Sequence, residues 1–252
     1  MPHTCPGELC AALRRARVVL CDLFRTLASV EDANPPGAPT PAQTLGLQVE
    51  PLASAWAAAW QATTDDRVLG RIATAYDVLA IPARLAAPHL PEAVIAAAVA
   101  TRQQRFDNAL MRVRPEVLTA LAALRRGGWR LGLVSNADYM DIHAWGRSPL
   151  RDCFDVAAFS CEVGVAKPDA GLYLAACNAL GVSPEACLYV GDGGNDELRA
   201  AAALGMTPVQ LTGILTRYFP ELVEAQRAGV RLRIATLGEL AACVASGARP
   251  PA

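Results

Sequence analysis

The chain has 252 residues, of which 53% are hydrophobic and 19% charged, and its formal net charge is −1. That length suits one domain with an insertion or two modest domains, and nothing in the near-zero charge suggests nucleic acid or a membrane surface as a partner. The composition argues against broad disorder, and no apolar run approaches the roughly eighteen residues that span a bilayer.

The first 19 residues hold no basic segment followed by an apolar one, so no secretion signal is expected. "VVLC", 18–21, reads as a buried strand that stops at Asp22. A Pro-rich loop, "ANPPGAPTPAQ" (33–43), opens a region of different texture. Ala-rich helical stretches follow at 50–62, 67–81 and 91–106, and nothing between Thr26 and Arg114 reads as a strand. Trp56, Trp60 and Tyr76 are expected to pack between these helices. Arg67 and Arg71, four apart, are expected on one helix face, in reach of an anionic substrate or in solvent. Arg105 and Arg112 carry no assignment.

From Arg114 onward, strands and helices alternate. A helix over 115–128 starts at Pro115 and ends at Gly127 and Gly128, and the strand "WRLGLVSN" (129–136) comes next. Then come "FDVAAFSCEVG" (154–164), a helix over 169–181 and the strand and loop "ACLYVGDGGND" (186–196). A helix over 196–205, "MTPVQL", a helical stretch over 216–229, "RLRIAT" and a last helix over 237–246 complete the pattern. Such alternation predicts an α/β fold: a Rossmann-like parallel sheet with a helical insertion after the first strand. The core is expected over 1–27 and 114–252, and the insertion over 28–113. Ligands of such sheets bind beyond the carboxyl ends of the strands. Asp22, Ser135, Asn136 and Asp192 all fall at such ends, which predicts one shared site.

Eight cysteines form no CxxC pair, which counts against zinc. Cys5 and Cys10 lie near the N-terminus, Cys21 and Cys187 in apolar runs where cysteine acts as a small hydrophobe, and a reducing cytoplasm is the expected compartment. Of 23 basic residues, Lys167 is the only lysine. Where every tolerant position has become arginine, the surviving lysine marks a place for a compact ammonium that a planar fork would not fit.

These residues resemble the haloacid dehalogenase (HAD) superfamily. "DLFRTL" matches its first motif, an Asp-x-Asp-x-Thr pattern, with Asp22 and Thr26 in register. "LVSN" supplies the second at Ser135, "GVAKPD" the third at Lys167, and "GDGGND" the acidic fourth at Asp192 and Asp196. The insertion looks like that superfamily's C1-type helical cap. The resemblance implies Asp22 as a nucleophile forming an aspartyl-phosphate, with Ser135, Asn136 and Lys167 facing the phosphoryl oxygens. It also implies Mg²⁺ held by Asp22, Asp192 and Asp196, and by the backbone carbonyl of Phe24, which any side chain permits.

Two departures stand out. Phe24 replaces the second aspartate, the acid–base group of the superfamily's phosphatases, whose work is typically worth roughly 10²–10⁴-fold. Arg25 replaces the usual glycine, placing a cation beside the nucleophile where it narrows the site or pairs with an anionic substrate. Three readings stay open. The first is a Mg²⁺-dependent phosphohydrolase or phosphotransferase on a small phosphorylated metabolite, for instance one whose leaving group needs no acid. The second is a metal-independent 2-haloacid dehalogenase, against which the intact "GDGGND" counts. The third is a degenerate domain that binds a phosphorylated ligand or partner. The oligomeric state stays unassigned.

Overall fold

The structure, a computed structural model, describes residues 6–227 and 229–251, so Cys5 lies outside it. Six strands form its centre: β1 (Val18–Cys21), β2 (Arg130–Ser135), β3 (Val156–Phe159), β4 (Cys187–Gly191), β5 (Thr207–Leu211) and β6 (Leu232–Ile234). Their order is β3-β2-β1-β4-β5-β6 and every pairing is parallel. Successive residues of a strand face opposite sides, so a run such as Val18–Cys21 feeds two cores. Val19 and Cys21 pack with Leu131, Leu133 and Val190 on one face. Val18 and Leu20 pack with Val134 and Tyr189 on the other. The α/β class expected from the alternating pattern is the one observed.

Helix α1 (Pro6–Arg15) precedes β1. Between β1 and β2 run α2 (Val30–Ala33), α3 (Pro41–Leu45), α4 (Leu52–Ala62), α5 (Thr64–Val68), α6 (Ala75–Ala86), α7 (Glu92–Met111) and α8 (Pro115–Arg126). The helices before α8 build a small core of their own around Leu45, Leu79 and Ile95, which Met140 enters from the loop after β2. Helices α9 (Ser160–Val163), α10 (Ala170–Leu180), α11 (Glu197–Ala203), α12 (Gly213–Tyr218), α13 (Leu222–Ala225) and α14 (Gly238–Ala245) follow among the later strands. No helix among the described residues is long and apolar enough to cross a membrane.

Three local expectations are corrected. Residues 67–81 do not form one helix. Gly70 adopts φ +73°, and a Cβ there would stand 2.0 Å from the Cys161 carbonyl oxygen. The chain restarts at Thr74, whose side chain accepts the Asp77 N–H to cap α6. Arg67 and Arg71 therefore share no face: Arg67 is buried, while Arg71 is exposed and pairs with Asp66 at 3.1 Å. The stretch 216–229 divides into α12 and α13 around Pro220, which has no N–H to continue a helix. Finally, Cys10 and Cys243 are joined as a disulfide where α1 packs along α14, with Cα atoms 5.1 Å apart. The expectation of a reducing compartment did not anticipate that bond.

In the strand order the sequence of strands reverses between β1 and β4. Neighbouring connections leave in opposite directions there and open a crevice at the carboxyl ends. Asp22 follows β1 and Asp192 follows β4, so the crevice is flanked by carboxylates.

Candidate active site

Asp22 is 6% exposed, and its N–H donates to the Val190 carbonyl at 2.9 Å, continuing the ladder from β1 to β4. One carboxylate oxygen accepts from the Lys167 ammonium at 2.6 Å and the other from the Thr26 hydroxyl at 2.8 Å. Thr26 is brought there by a tight loop. The Arg25 N–H donates to the Ala28 carbonyl, and the Leu27 and Ala28 N–H groups both donate to the Leu23 carbonyl. This set of bonds leaves the Phe24 carbonyl out. The turn places Arg25 at φ 62°, the left-handed region that glycine enters freely and other residues enter at a cost of roughly 1–2 kcal/mol. Its guanidinium lies 4.4 Å from the centre of the Phe219 ring.

Lys167 is 4% exposed, and its ammonium bonds to Asp22, to a Glu197 oxygen at 2.5 Å and to the Tyr189 hydroxyl at 3.2 Å. All three donors are used. Burial works against the charge, but Asp22 and Glu197 outweigh it and hold the ammonium well above the ordinary lysine range. The backbone of Lys167 is clamped by Asn136, whose amide nitrogen donates to the Lys167 carbonyl at 2.9 Å and whose oxygen accepts the Lys167 N–H at 2.7 Å. Asn136 thus positions the lysine. Ser135 ends β2 at 1% exposure, with its hydroxyl 3.4 Å from the Asn136 carbonyl.

The loop after β4 departs most from the sequence reading. Asp192 is 5% exposed and accepts the Gly194 N–H at 2.8 Å. Burial, then the charge of Asp22, raises its pKa. Asn195 and Asp196 are both left-handed, at φ 52° and 55°. The structure does not bring the Asp196 carboxylate to the other acids: it pairs with Arg199 at 3.0 Å near the surface. Glu197, which the motif reading passed over, takes the inner place at 1% exposure. It accepts from Lys167, from the Tyr189 hydroxyl at 2.7 Å and from the Gly193 N–H at 2.9 Å. Gly191 makes room for it, since a Cβ there would stand 2.1 Å from Glu197 Oε1. Burial, with the charges of Asp22 and Asp192 and against that of Lys167, lifts the Glu197 carboxyl to about 8.

Carboxylate oxygens of Asp22, Asp192 and Glu197 lie within 4.8 Å of one another. These all-oxygen donors fit a hard divalent cation. Glu197 already accepts from three donors, whereas Asp22 accepts from two and Asp192 from one, and all three line the cleft.

A cleft of about 680 Å³ opens above these residues. Phe24, Arg25, Ser135, Asn136, Lys167, Asp192 and Glu197 line it from the core, and Trp56, Trp60, Arg102, Arg105 and Phe106 from the helical insertion. Trp56 and Trp60, expected only to pack between helices, therefore also face the cleft; Tyr76 does not line it and bonds to Glu92 instead. Arg67 and Arg102 cross from the insertion to the core: Arg67 meets Asp138 at 3.4 Å, and Arg102 meets Asp138 at 3.0 Å and Asp141 at 2.7 Å. Burial, and the charge of Asp138, push Asp141 up to about 7 against the pull of Arg102. Neither Asp138 nor Asp141 stood out in the sequence, because only the fold brings them to the two arginines.

The chain belongs to the haloacid dehalogenase-like hydrolase family, whose model matches residues 44–205. It is 33% identical over 131 residues to a glyceraldehyde 3-phosphate phosphatase of Methanopyrus kandleri, covering 51% of this chain and 54% of that one. It is 34% identical over 117 residues to a phosphoserine phosphatase of Thermus thermophilus, 46% of this chain and 47% of the other. The chain thus spans about half the length of the curated relatives it matches. Among solved structures, a 2-haloacid dehalogenase from Pseudomonas syringae superposes with TM-score 0.61 at 21% identity, over 92% of this chain and 100% of that one. A HAD phosphatase from Thermococcus onnurineus gives TM-score 0.54 at 22% identity, over 92% and 99%. At such identities these likenesses describe the fold alone.

Proposed function

We propose that the chain is a Mg²⁺-dependent phosphohydrolase that works on a small phosphorylated compound through an aspartyl-phosphate at Asp22. One observation carries this reading: Asp22 shares its crevice with a fully engaged ammonium, Lys167, and a second carboxylate, Asp192, at the carboxyl ends of parallel strands. Lys167 orients the Asp22 carboxylate and offers charge to the phosphoryl oxygens, while the Ser135 hydroxyl supplies a further donor. Glu197 and Asn136 hold Lys167 in place. Mg²⁺, when bound by Asp22, Asp192 and the Phe24 carbonyl, supplies positive charge that neutralises the phosphoryl group and the clustered carboxylates. The insertion, 28–113, acts as a cap whose side chains select the substrate. The names of the relatives, phosphatases of small metabolites, support the reaction class.

A second reading, metal-independent dehalogenation, is favoured by Phe24, since displacement of halide by a carboxylate needs no acid. An assay of phosphate release from acyl and ester phosphates, and of halide release from chloroacetate, each with Mg²⁺ and with EDTA, separates the two. Mg²⁺-dependent phosphate release is expected. Halide release in EDTA without phosphate release would overturn the proposal.

A further inference from the structure

Beyond its charged floor the cleft carries four aromatic rings, beside Arg102 and Arg105. Phe24 and Phe106 meet edge-on with ring centres 5.2 Å apart. Trp56 and Trp60, one turn apart on α4, have ring centres 5.3 Å apart and planes inclined by 34°. All four rings line the cleft that holds Asp22. They come from the loop after β1, from α4 and from α7, so their convergence is not the side effect of one helix face. Trp60 is also braced: the Arg67 guanidinium lies 3.5 Å from its ring centre, and Asp138 holds that arginine from the core. A flat ring meets such a wall through edge and face contacts that an alkyl chain cannot make.

Phe24 stands two residues past Asp22 and carries no carboxyl, so no acid follows the nucleophile at that position. Besides Asp22 and Asp192, the carboxyl groups lining it are Glu31, Asp141 and Glu197. Glu31 accepts from Ser29 at 2.9 Å. Both Asp141 oxygens accept, one from Arg102 and one from the Asp138 N–H at 3.0 Å. Glu197 is filled by Lys167, Tyr189 and Gly193. With phenylalanine at position 24, a leaving group stable as an anion is favoured over an alkoxide.

From these two independent features we infer that the substrates are phosphate monoesters of a phenol-type oxygen, with the ring seated among Phe24, Phe106, Trp56 and Trp60. The inference rests on the phosphohydrolase reading above. An Asp22 oxygen forms a bond to phosphorus as the bond from phosphorus to the aryl oxygen breaks, and the electron pair leaves on that oxygen. Water then attacks phosphorus, the bond to Asp22 breaks, and the proton shed by water balances the aryl oxide, giving a phenol and inorganic phosphate. A phenol has a pKa of about 10, low enough to leave unprotonated, several units below an aliphatic alcohol.

The test compares kcat/KM at pH 8 with Mg²⁺ for phenyl, 2-phenylethyl and propyl phosphates and for acetyl phosphate. Phenyl phosphate is expected to exceed propyl phosphate by about 10³-fold, of the order that general acid catalysis would otherwise supply. 2-Phenylethyl phosphate, with a ring but an alcohol leaving group, is expected to gain in KM and not in kcat. Trp56→Leu is expected to raise KM for phenyl phosphate about tenfold, several times more than for acetyl phosphate, the loss of roughly one aromatic contact. Should the variant fail to fold, quenching of wild-type tryptophan fluorescence by phenylphosphonate against propylphosphonate reads the same preference. Equal use of propyl and phenyl phosphates, or equal binding of the two phosphonates, would overturn the inference while acetyl phosphate turnover kept the parent reading intact. No phosphate release from any compound, with no binding of orthovanadate by calorimetry, would overturn both.

Discussion

Lys167 touches Asp22, Glu197 and Tyr189 with three separate donors in a space that is almost sealed. A guanidinium keeps the charge but spreads its donors over a planar fork with a wider head, and cannot point one at each of three partners on different sides. Lys167→Arg is therefore expected to lower kcat by about 10²-fold or more, the size found when one well-placed donor to a developing charge is lost. A turnover equal to wild type in phosphate-release assays would show the lone lysine to be accidental. Phe24 poses the complementary experiment. Phe24→Asp restores a carboxyl two residues past the nucleophile, so hydrolysis of propyl phosphate is expected to rise, by at most roughly 10²-fold, with little change for phenyl phosphate. The ratio of the two rates is the measurement, because the loss of the edge-on contact with Phe106 also lowers stability. An unchanged ratio in a folded variant would mean that position 24 does not face the leaving group.

At the scale of elements, Gly70 decides the shape of the insertion. Its positive φ and the Cys161 carbonyl 2.0 Å from a would-be Cβ tie the turn between α5 and α6 to the core. Gly70→Ala is expected to destabilise the protein by about 1–3 kcal/mol through strain and displacement of that contact, measured by urea denaturation. This turn also shows where the sequence was silent. The strands were legible because runs such as "VVLC" and "CLYV" are apolar on both faces, and their polar ends pointed to Asp22, Ser135 and Asp192. The break at Gly70 was missed because helical periodicity continues through it, and what demands the glycine is a carbonyl ninety residues away. The inner role of Glu197 was hidden for a related reason. Two consecutive left-handed residues, Asn195 and Asp196, rotate the chain, so the residue after the expected acid enters the site. No spacing rule for a regular helix reports that turn.

At the scale of the whole molecule, the insertion and core are joined by buried charge. Arg67 and Arg102 reach across to Asp138 and Asp141, and removing one member of such a cluster strands its partners. The two acids are not equal. Asp138 accepts from both arginines and from the Met140 and Asp141 N–H groups. Asp141 has one guanidinium and one backbone N–H, and faces the charge of Asp138. Burial and that neighbour raise its folded pKa to about 7, well above the ordinary aspartate range. The folded protein then holds a proton that the unfolded chain has released between about pH 4 and 7. Stability from this group is present below that window and falls as pH rises through it. Asp141→Asn keeps the shape and removes the titration. The stability of wild type relative to Asp141→Asn, followed by urea denaturation from pH 4 to 8, is therefore expected to decline with pH up to about 7 and to level off above. A difference that stayed constant across the range would mean that Asp141 is ionised throughout, with Arg102 alone setting its charge.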